Sequence, residues 1–286
     1  MPPTLRPVQA LRLAAARRQR RATYRRRVEV RSFATLDDGA LSVAHPHGFF
    51  STCSVTLVEL MRASGPVDRV DFSRALPLYR ETPDGCRWDR FFAPPRPPFP
   101  AGDPGADLQG LPWSVNSRYR HFDLAALAPW VDAWFRPSEE IRDRAAALAT
   151  RYRIDPTRTV AVWVRGTDKA QEFDPSSLDR YVRRVRWALR TGGVDRVLVQ
   201  SDQAQTRDAL LGRFGSAAFA VEELPVATGG VGLHFQALPG REDHVFDLLA
   251  TVVMMSGFRR LVLHTGNGGF WTVLLRGHLR GVAQLW

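Results

Sequence analysis

Between residues 159 and 286 the chain alternates short apolar runs with longer segments of helical period. Thr159–Val164 is apolar and β-branched over the length of a strand. Leu178, Tyr181, Val182, Val185, Ala188 and Leu189 then recur at helical spacing, with Arg180, Arg183, Arg184 and Arg186 on the opposite face. Gly192-Gly193 ends that helix. The pattern continues as a strand over Arg196–Ser201, a helix over Gln205–Arg213 and a strand over Ala218–Glu222. An almost wholly apolar helix over His244–Met255 follows, then a strand at Leu261–His264, a helix at Phe270–Arg276 and a last strand at Val282–Trp286. Apolar strands alternating with helices predict a parallel sheet covered on both faces.

The first half is less periodic. Val28–Ser32 and Val67–Phe72 read as strands, and Thr52–Ala63 as a helix following His47-Gly48-Phe49-Phe50-Ser51. Phe92–Gly110 is rich in proline and glycine and reads as a long loop. Glu139–Arg151 reads as a helix leading from a first domain into a second. The predicted organisation is a basic tail over 1–27, an N-terminal domain over 28–150 and a C-terminal domain over 151–286.

Charge alters this picture only at the amino end. The net charge is +11, yet residues 1–31 hold ten arginines against one acid, Glu29, so the other 255 residues are near +2. The tail reads as a solvated or misassigned leader; the other reading is weak contact with an anionic membrane surface or nucleic acid. It has no apolar core of about 7–15 residues, as a secretory signal would, and no run of about 18 apolar residues occurs anywhere. Cys53 and Cys86 make no disulfide framework and no thiolate zinc site. A reducing cytoplasm is the expected compartment, with no specific nucleic-acid partner.

Candidate chemistry gathers where predicted strands end, the edge at which open α/β sheets hold ligands. Of 40 basic residues only Lys169 is a lysine, and it lies four residues after Arg165, at the mouth of the first strand of the alternating region. Arginine can fork across two phosphate oxygens and lysine can sit on one, so the pair suits a diphosphate. Asp168 could orient either cation, or simply make a turn with Thr167. No phosphate-binding glycine motif and no Asp-x-Asp triplet for a metal occurs. Glu172 and Asp174 are the carboxylates within reach to act as a general base. Asp202 follows the next strand, placed to meet a ligand hydroxyl or to cap a helix. Asp247 stands in an apolar helix and needs a partner, a ligand or an arginine, unless it only complements the first turn. Thr265-Gly266-Asn267-Gly268-Gly269 joins a strand to a helix, either as an anion-binding turn or as a tight connection. His234 is a loop histidine with a binding role as its alternative. Trp113, Tyr119, Trp130 and Trp134 could stack on a sugar, with core packing as the default.

These residues in this order resemble the alpha-1,6-fucosyltransferase superfamily, including the Nod-factor and protein O-fucosyltransferases. The hallmark is a strand ending in His-x-Arg-Arg-Thr-Asp-Lys; here Trp163-Val164-Arg165-Gly166-Thr167-Asp168-Lys169 stands in its place. Ser201-Asp202, Gly232-Leu233-His234, the Asp247 helix and Asn267 follow in order. His47–Ser51 is similar to a degraded Gly-Phe-Gly-x-Gln loop. The resemblance implies two facing Rossmann-like domains (GT-B-like) and a metal-independent, inverting transfer from a GDP-linked sugar to an acceptor hydroxyl. It implies no cofactor besides that donor, which is a substrate. Arg165 would hold the β-phosphate, Lys169 would assist and Glu172 lies nearest to the base. Gly48, Phe50, Ser51, Asp168, Asp202, His234, Asp247, Asn267 and Gly268 would help hold nucleotide and sugar. Trp163 and Gly166 stand where the family has a histidine and a second arginine. A catalytically weak or silent nucleotide-sugar-binding relative is therefore the alternative, followed by a polyanion- or membrane-surface-binding protein acting through the tail.

Overall fold

The computed structural model describes residues 34–45, 48–63, 65–72, 88–97, 118–165, 178–228 and 244–285. The strand expected at Val28–Ser32 and most of the proline-rich loop lie outside them.

The alternating half folds as its pattern predicts. Strands β4 (Thr159–Val164), β5 (Arg196–Ser201), β6 (Ala218–Phe219), β7 (Arg260–His264) and β8 (Val282–Leu285) form one sheet in the order β6-β5-β4-β7-β8, all neighbours parallel. Side chains alternate across it. Val160, Val162, Val197, Val199 and Val262 face one apolar cluster, and Ala161, Trp163, Leu198, Leu261 and Leu263 face another. The first cluster lies under helices α5 (Leu178–Thr191) and α6 (Ala204–Phe214). The second lies under α4 (Glu139–Arg151), α7 (His244–Ser256) and α8 (Asn267–Arg276). Both faces are therefore covered, which is why these strands carry no polar alternation.

Strand order matters for the site. The chain steps outward from β4 to β5 and β6, then crosses back to lay β7 on the other side of β4. The connections after β4 and β7 thus leave in opposite directions. The crevice between their carboxyl ends is where doubly wound sheets hold ligands.

The N-terminal half is a smaller, mixed sheet. Strands β1 (Ala34–Asp37) and β2 (Ala40–Val43) form an antiparallel hairpin around Asp38-Gly39, whose φ angles are 44° and 67°. Two positive φ values are what a tight two-residue hairpin requires, and Asp-Gly is a pair that tolerates them. Helix α1 (Phe49–Arg62) then crosses to β3 (Arg69–Asp71), parallel to β2, making one βαβ unit. A short helix α2 (Trp88–Phe91), a 3₁₀ turn at Tyr119–His121 and helix α3 (Leu124–Trp134) complete this half. Asp123 caps α3, accepting from the amides of Ala125 and Ala126.

One apolar cluster runs from Leu41 to Leu274 and takes in α1, α3, α4, α7, α8 and the inner face of the parallel sheet. Trp130 and Trp134 belong to it, and the neighbouring Phe135 packs in an aromatic run between Trp88 and Trp271. Trp113 lies outside the described residues. Helix α4, expected only to lead into the second half, packs along α7.

Cys53 sits in α1, fully buried, and burial raises its thiol pKa well above the ordinary value. The thiolate is the reactive form. In a Cys86→Ser background, Cys53 is therefore expected to resist an aromatic disulfide reagent until denaturant is added. Stoichiometric labelling of the native protein would contradict its placement.

Candidate functional site

Arg165 leaves the end of β4 and Asp202 leaves the end of β5, one strand away. Nε of Arg165 donates to Oδ2 of Asp202 at 3.3 Å, with side chains 26% and 16% exposed. The two residues expected separately at a ligand are thus held as a pair at the sheet's carboxyl edge. A carboxylate at Nε fixes the plane of the guanidinium, and so the direction of its fork. Asp202 does not cap the following helix. That position belongs to Gln203, which makes no side-chain cap. The carbonyl of Asp202 accepts from the Ala227 amide at 2.8 Å, and the Ala204 amide donates to the Ala227 carbonyl at 2.9 Å. Residues after β6 therefore return to brace this strand end.

On the other side of the crevice, α8 begins at Asn267, directly after β7 and three residues earlier than the pattern suggested. Glycines are poor helix formers, so a start inside Gly266-Asn267-Gly268-Gly269 is set by packing and not by propensity. A Cβ on Gly268 would lie 2.6 Å from the indole of Trp163, two residues before Arg165. One on Gly269 would lie 2.5 Å from the Tyr119 hydroxyl and 2.7 Å from the His264 carbonyl oxygen. These two glycines let β4, α8 and Tyr119 approach closely.

Helix α1 meets this turn. Ser54 Oγ donates to Oδ1 of Asn267 at 2.7 Å and accepts from Nε1 of Trp271 at 3.0 Å. One turn earlier lie Gly48, Phe50 and Ser51. Contrary to the expected loop, Phe49–Ser51 form the first turn of α1, with Gly48 at its cap and no side-chain cap. The Gly48 carbonyl accepts from the amides of Ser51 and Thr52, Phe50 is buried, and Ser51 Oγ lies 2.9 Å from Nε2 of the buried His45. The structure therefore links Ser54, Asn267, Gly268, Trp163, Arg165 and Asp202 by successive contacts or short chain steps. Ser54 was not singled out by the sequence; a small hydroxyl in an apolar helix, beside Thr52 and Thr56, is its only signal.

Tyr119 fixes the same turn from 145 residues away. Its hydroxyl lies 2.9 Å from the carbonyl oxygen of His264 and 3.0 Å from that of Gly266, and it accepts from the Gly266 amide at 3.2 Å. Its own amide donates to Oε1 of Gln284 at 2.7 Å, and Nε2 of Gln284 donates to Oγ1 of Thr265 at 2.8 Å. Burial pushes the Tyr119 hydroxyl far above the usual phenol range, so it stays protonated. From the opposite face of the sheet, the Tyr181 hydroxyl lies 2.9 Å from Nδ1 of His264, and burial raises its pKa too.

Asp247 is in the first turn of α7 and its partner is an arginine. Nη1 of Arg144, on α4, donates to it at 3.1 Å. Nη2 of Arg144 and Nη2 of Arg90 both reach Oε1 of Glu140, at 3.2 and 3.1 Å. Arg90 also stands over the Phe246 ring at 4.3 Å. This network binds α4 to α7. Asp168, Lys169, Glu172 and His234, with Gly166 and Asp174, lie outside the described residues.

No protein-family model matches this chain, and no curated protein sequence does. Solved structures do. The chain is similar to the fucosyltransferase NodZ from Bradyrhizobium at 15% identity over 84% of this chain and 93% of that one, with a TM-score of 0.51. A NodZ alpha-1,6-fucosyltransferase soaked with GDP-fucose gives 14% identity, 82% and 91% coverage and a TM-score of 0.47. POFUT1 in complex with GDP gives 13%, 53%, 48% and 0.37, so the chain spans about half the length of that protein. The first likeness shows the fold: the chain is an α/β protein built like a fucosyltransferase.

Proposed function

We propose that the protein is an inverting, metal-independent glycosyltransferase that takes a sugar from a nucleotide-diphosphate donor, GDP-linked, and passes it to an acceptor hydroxyl. The observation that carries this reading is the placement of the Arg165–Asp202 pair and the Asn267 turn at the carboxyl ends flanking the reversal of strand order. The fold shared with a fucosyltransferase supports it. In this reading the acceptor oxygen attacks the anomeric carbon while the bond to the β-phosphate oxygen breaks. The departing diphosphate gains negative charge, which Arg165 neutralises from a direction that Asp202 fixes. Lys169 adds a second cation, and Glu172 takes the acceptor's proton. Asn267 and the first turn of α8, held by Ser54 and Tyr119, form the opposite wall against nucleotide and sugar. No cofactor takes part.

Titration calorimetry with GDP, UDP and ADP tests this proposal. GDP is expected to bind at micromolar to low millimolar concentration and more tightly than the other two. Absence of heat with all three would overturn it. Slow hydrolysis of a GDP-sugar would separate an active enzyme from a silent relative.

A further inference from the structure

The near-neutral charge of residues 32–286 is unevenly spread. Helix α5 carries Arg180, Arg183, Arg184, Arg186 and Arg190 within fourteen residues, all exposed. Asp179, the acid of this helix, pairs with Arg213 at 3.5 Å. Arginines three and four apart on a helix are neighbours and repel. Amid them Trp187 is 47% exposed, one of only two large hydrophobic side chains so exposed among the described residues. The guanidinium of Arg260 stands 5.7 Å from the Trp187 ring centre and adds to the positive field. These arginines, Trp187 and Leu285 of the edge strand β8 line a groove of about 590 Å³. It lies on the α5 face of the sheet, whereas α8, which begins at Asn267, covers the other face.

We propose that this groove binds single-stranded nucleic acid without sequence preference. A positive channel that follows a phosphate backbone, with an aromatic ring on which a base can stack, is how such strands are held. Guanidinium groups fork onto phosphate oxygens, and any base offers a face to Trp187. A lipid surface fits less well. A helix that lies in a membrane buries an apolar face in it, and the apolar face of α5, with Tyr181, Val182, Val185 and Ala188, is already buried against the sheet. The groove is also concave, which suits a strand more than a plane.

The test is fluorescence anisotropy of a short dye-labelled oligo-dT on the full-length chain, with inorganic polyphosphate and phosphatidylglycerol vesicles as parallel arms. The basic tail contributes a background that is the same in every variant. Trp187→Ala is expected to weaken oligo-dT binding about tenfold and to leave polyphosphate binding unchanged. Arg183→Gln with Arg186→Gln is expected to weaken both and to lower the slope of log affinity against log salt by about 1.4, two phosphate contacts at about 0.7 each. Both sites are exposed, so the circular dichroism spectrum and melting temperature should match the wild type. Oligo-dT binding unchanged in both variants would assign it to the tail and overturn the proposal. So would indifference to Trp187→Ala alone, which would leave an anion patch without stacking. Vesicle binding that falls in these variants while oligo-dT does not bind would make the surface a membrane contact instead.

Discussion

Arg165→Ala is expected to slow sugar release from a GDP-linked donor by about a hundred- to a thousandfold, the loss typical when one preorganised donor to a developing negative charge is removed. The expectation follows from position. Arg165 stands at the first residue past β4, on the crevice where strand order reverses, and Asp202 holds its Nε from the neighbouring strand. Alanine removes the cation and leaves the mostly buried Asp202 without that partner. Asp202→Asn keeps the guanidinium but exchanges a charged contact for a neutral one. It should cost about tenfold, as misdirection and not as loss of charge. Arg165→Lys should fall between, because an ammonium keeps the charge without the planar fork. The pair is about one-fifth exposed, so its removal should cost roughly 1 kcal/mol and lower the melting point by about 2–4 °C. Single-turnover measurement of donor cleavage, with calorimetry of nucleotide binding alongside, reads the two effects apart. Wild-type cleavage by Arg165→Ala would place the neutralising cation elsewhere.

The parallel sheet was legible because burial on both faces leaves no room for polar positions in its strands. Thr159–Val164 and Arg196–Ser201 form as the apolar runs predict, and Glu139–Arg151 begins where Ser138 accepts from the Ile141 amide. The strand expected over Ala218–Glu222 stops at Phe219, because the chain then turns back to brace Asp202 through Ala227. In the first half, Asp38-Gly39 carried a hairpin signal between two short, half-exposed strands that are hard to see singly. Helix α3 was hidden by Pro129 in its interior and by apolar residues on every side, which blur the period.

The site was legible as a set of places more than as a set of contacts. Strand ends and their polar residues can be read from a sequence: Arg165, Asp202 and Asn267 all stand where strands were expected to stop. Which of them touch cannot, because that depends on strand order. Asp202 had a ligand or a helix cap as its alternatives; the cap position falls to Gln203, and Asp202 pairs with Arg165. Asp247 needed a partner on physical grounds and has it in Arg144, 103 residues earlier. Trp163 could be noted as a replacement for a histidine, but only its contact with Gly268 explains why a residue without a side chain follows Asn267. The glycine-rich turn is thus shaped by an indole and a phenol pressed against it.

That phenol carries the largest expected effect on stability at the site. Tyr119→Phe keeps the ring, which packs 5.9 Å from Phe270, and removes only the hydroxyl. The buried amide of Gly266 loses its acceptor, and the carbonyls of His264 and Gly266 lose the proton they share. A buried donor left unsatisfied costs about 1–3 kcal/mol, and carbonyls that also lose a partner add to it. A total of roughly 2–4 kcal/mol lowers the melting temperature by about 5–10 °C in a chain of this size. The loss should persist at every pH at which the protein is folded, because the hydroxyl is held protonated far above the usual phenol range. It should also reach the site. The turn that Tyr119 holds contains Gly266 and places Asn267, so nucleotide affinity should fall together with stability, whereas Arg165→Ala should lose turnover with a smaller fall in melting temperature. A Tyr119→Phe protein that melts within about 1 °C of the wild type would mean that the turn is held by Gln284 and Thr265 without the hydroxyl. Gln284→Leu on the Tyr119→Phe background distinguishes the two supports. If they act as one network, the second substitution adds less than it does alone.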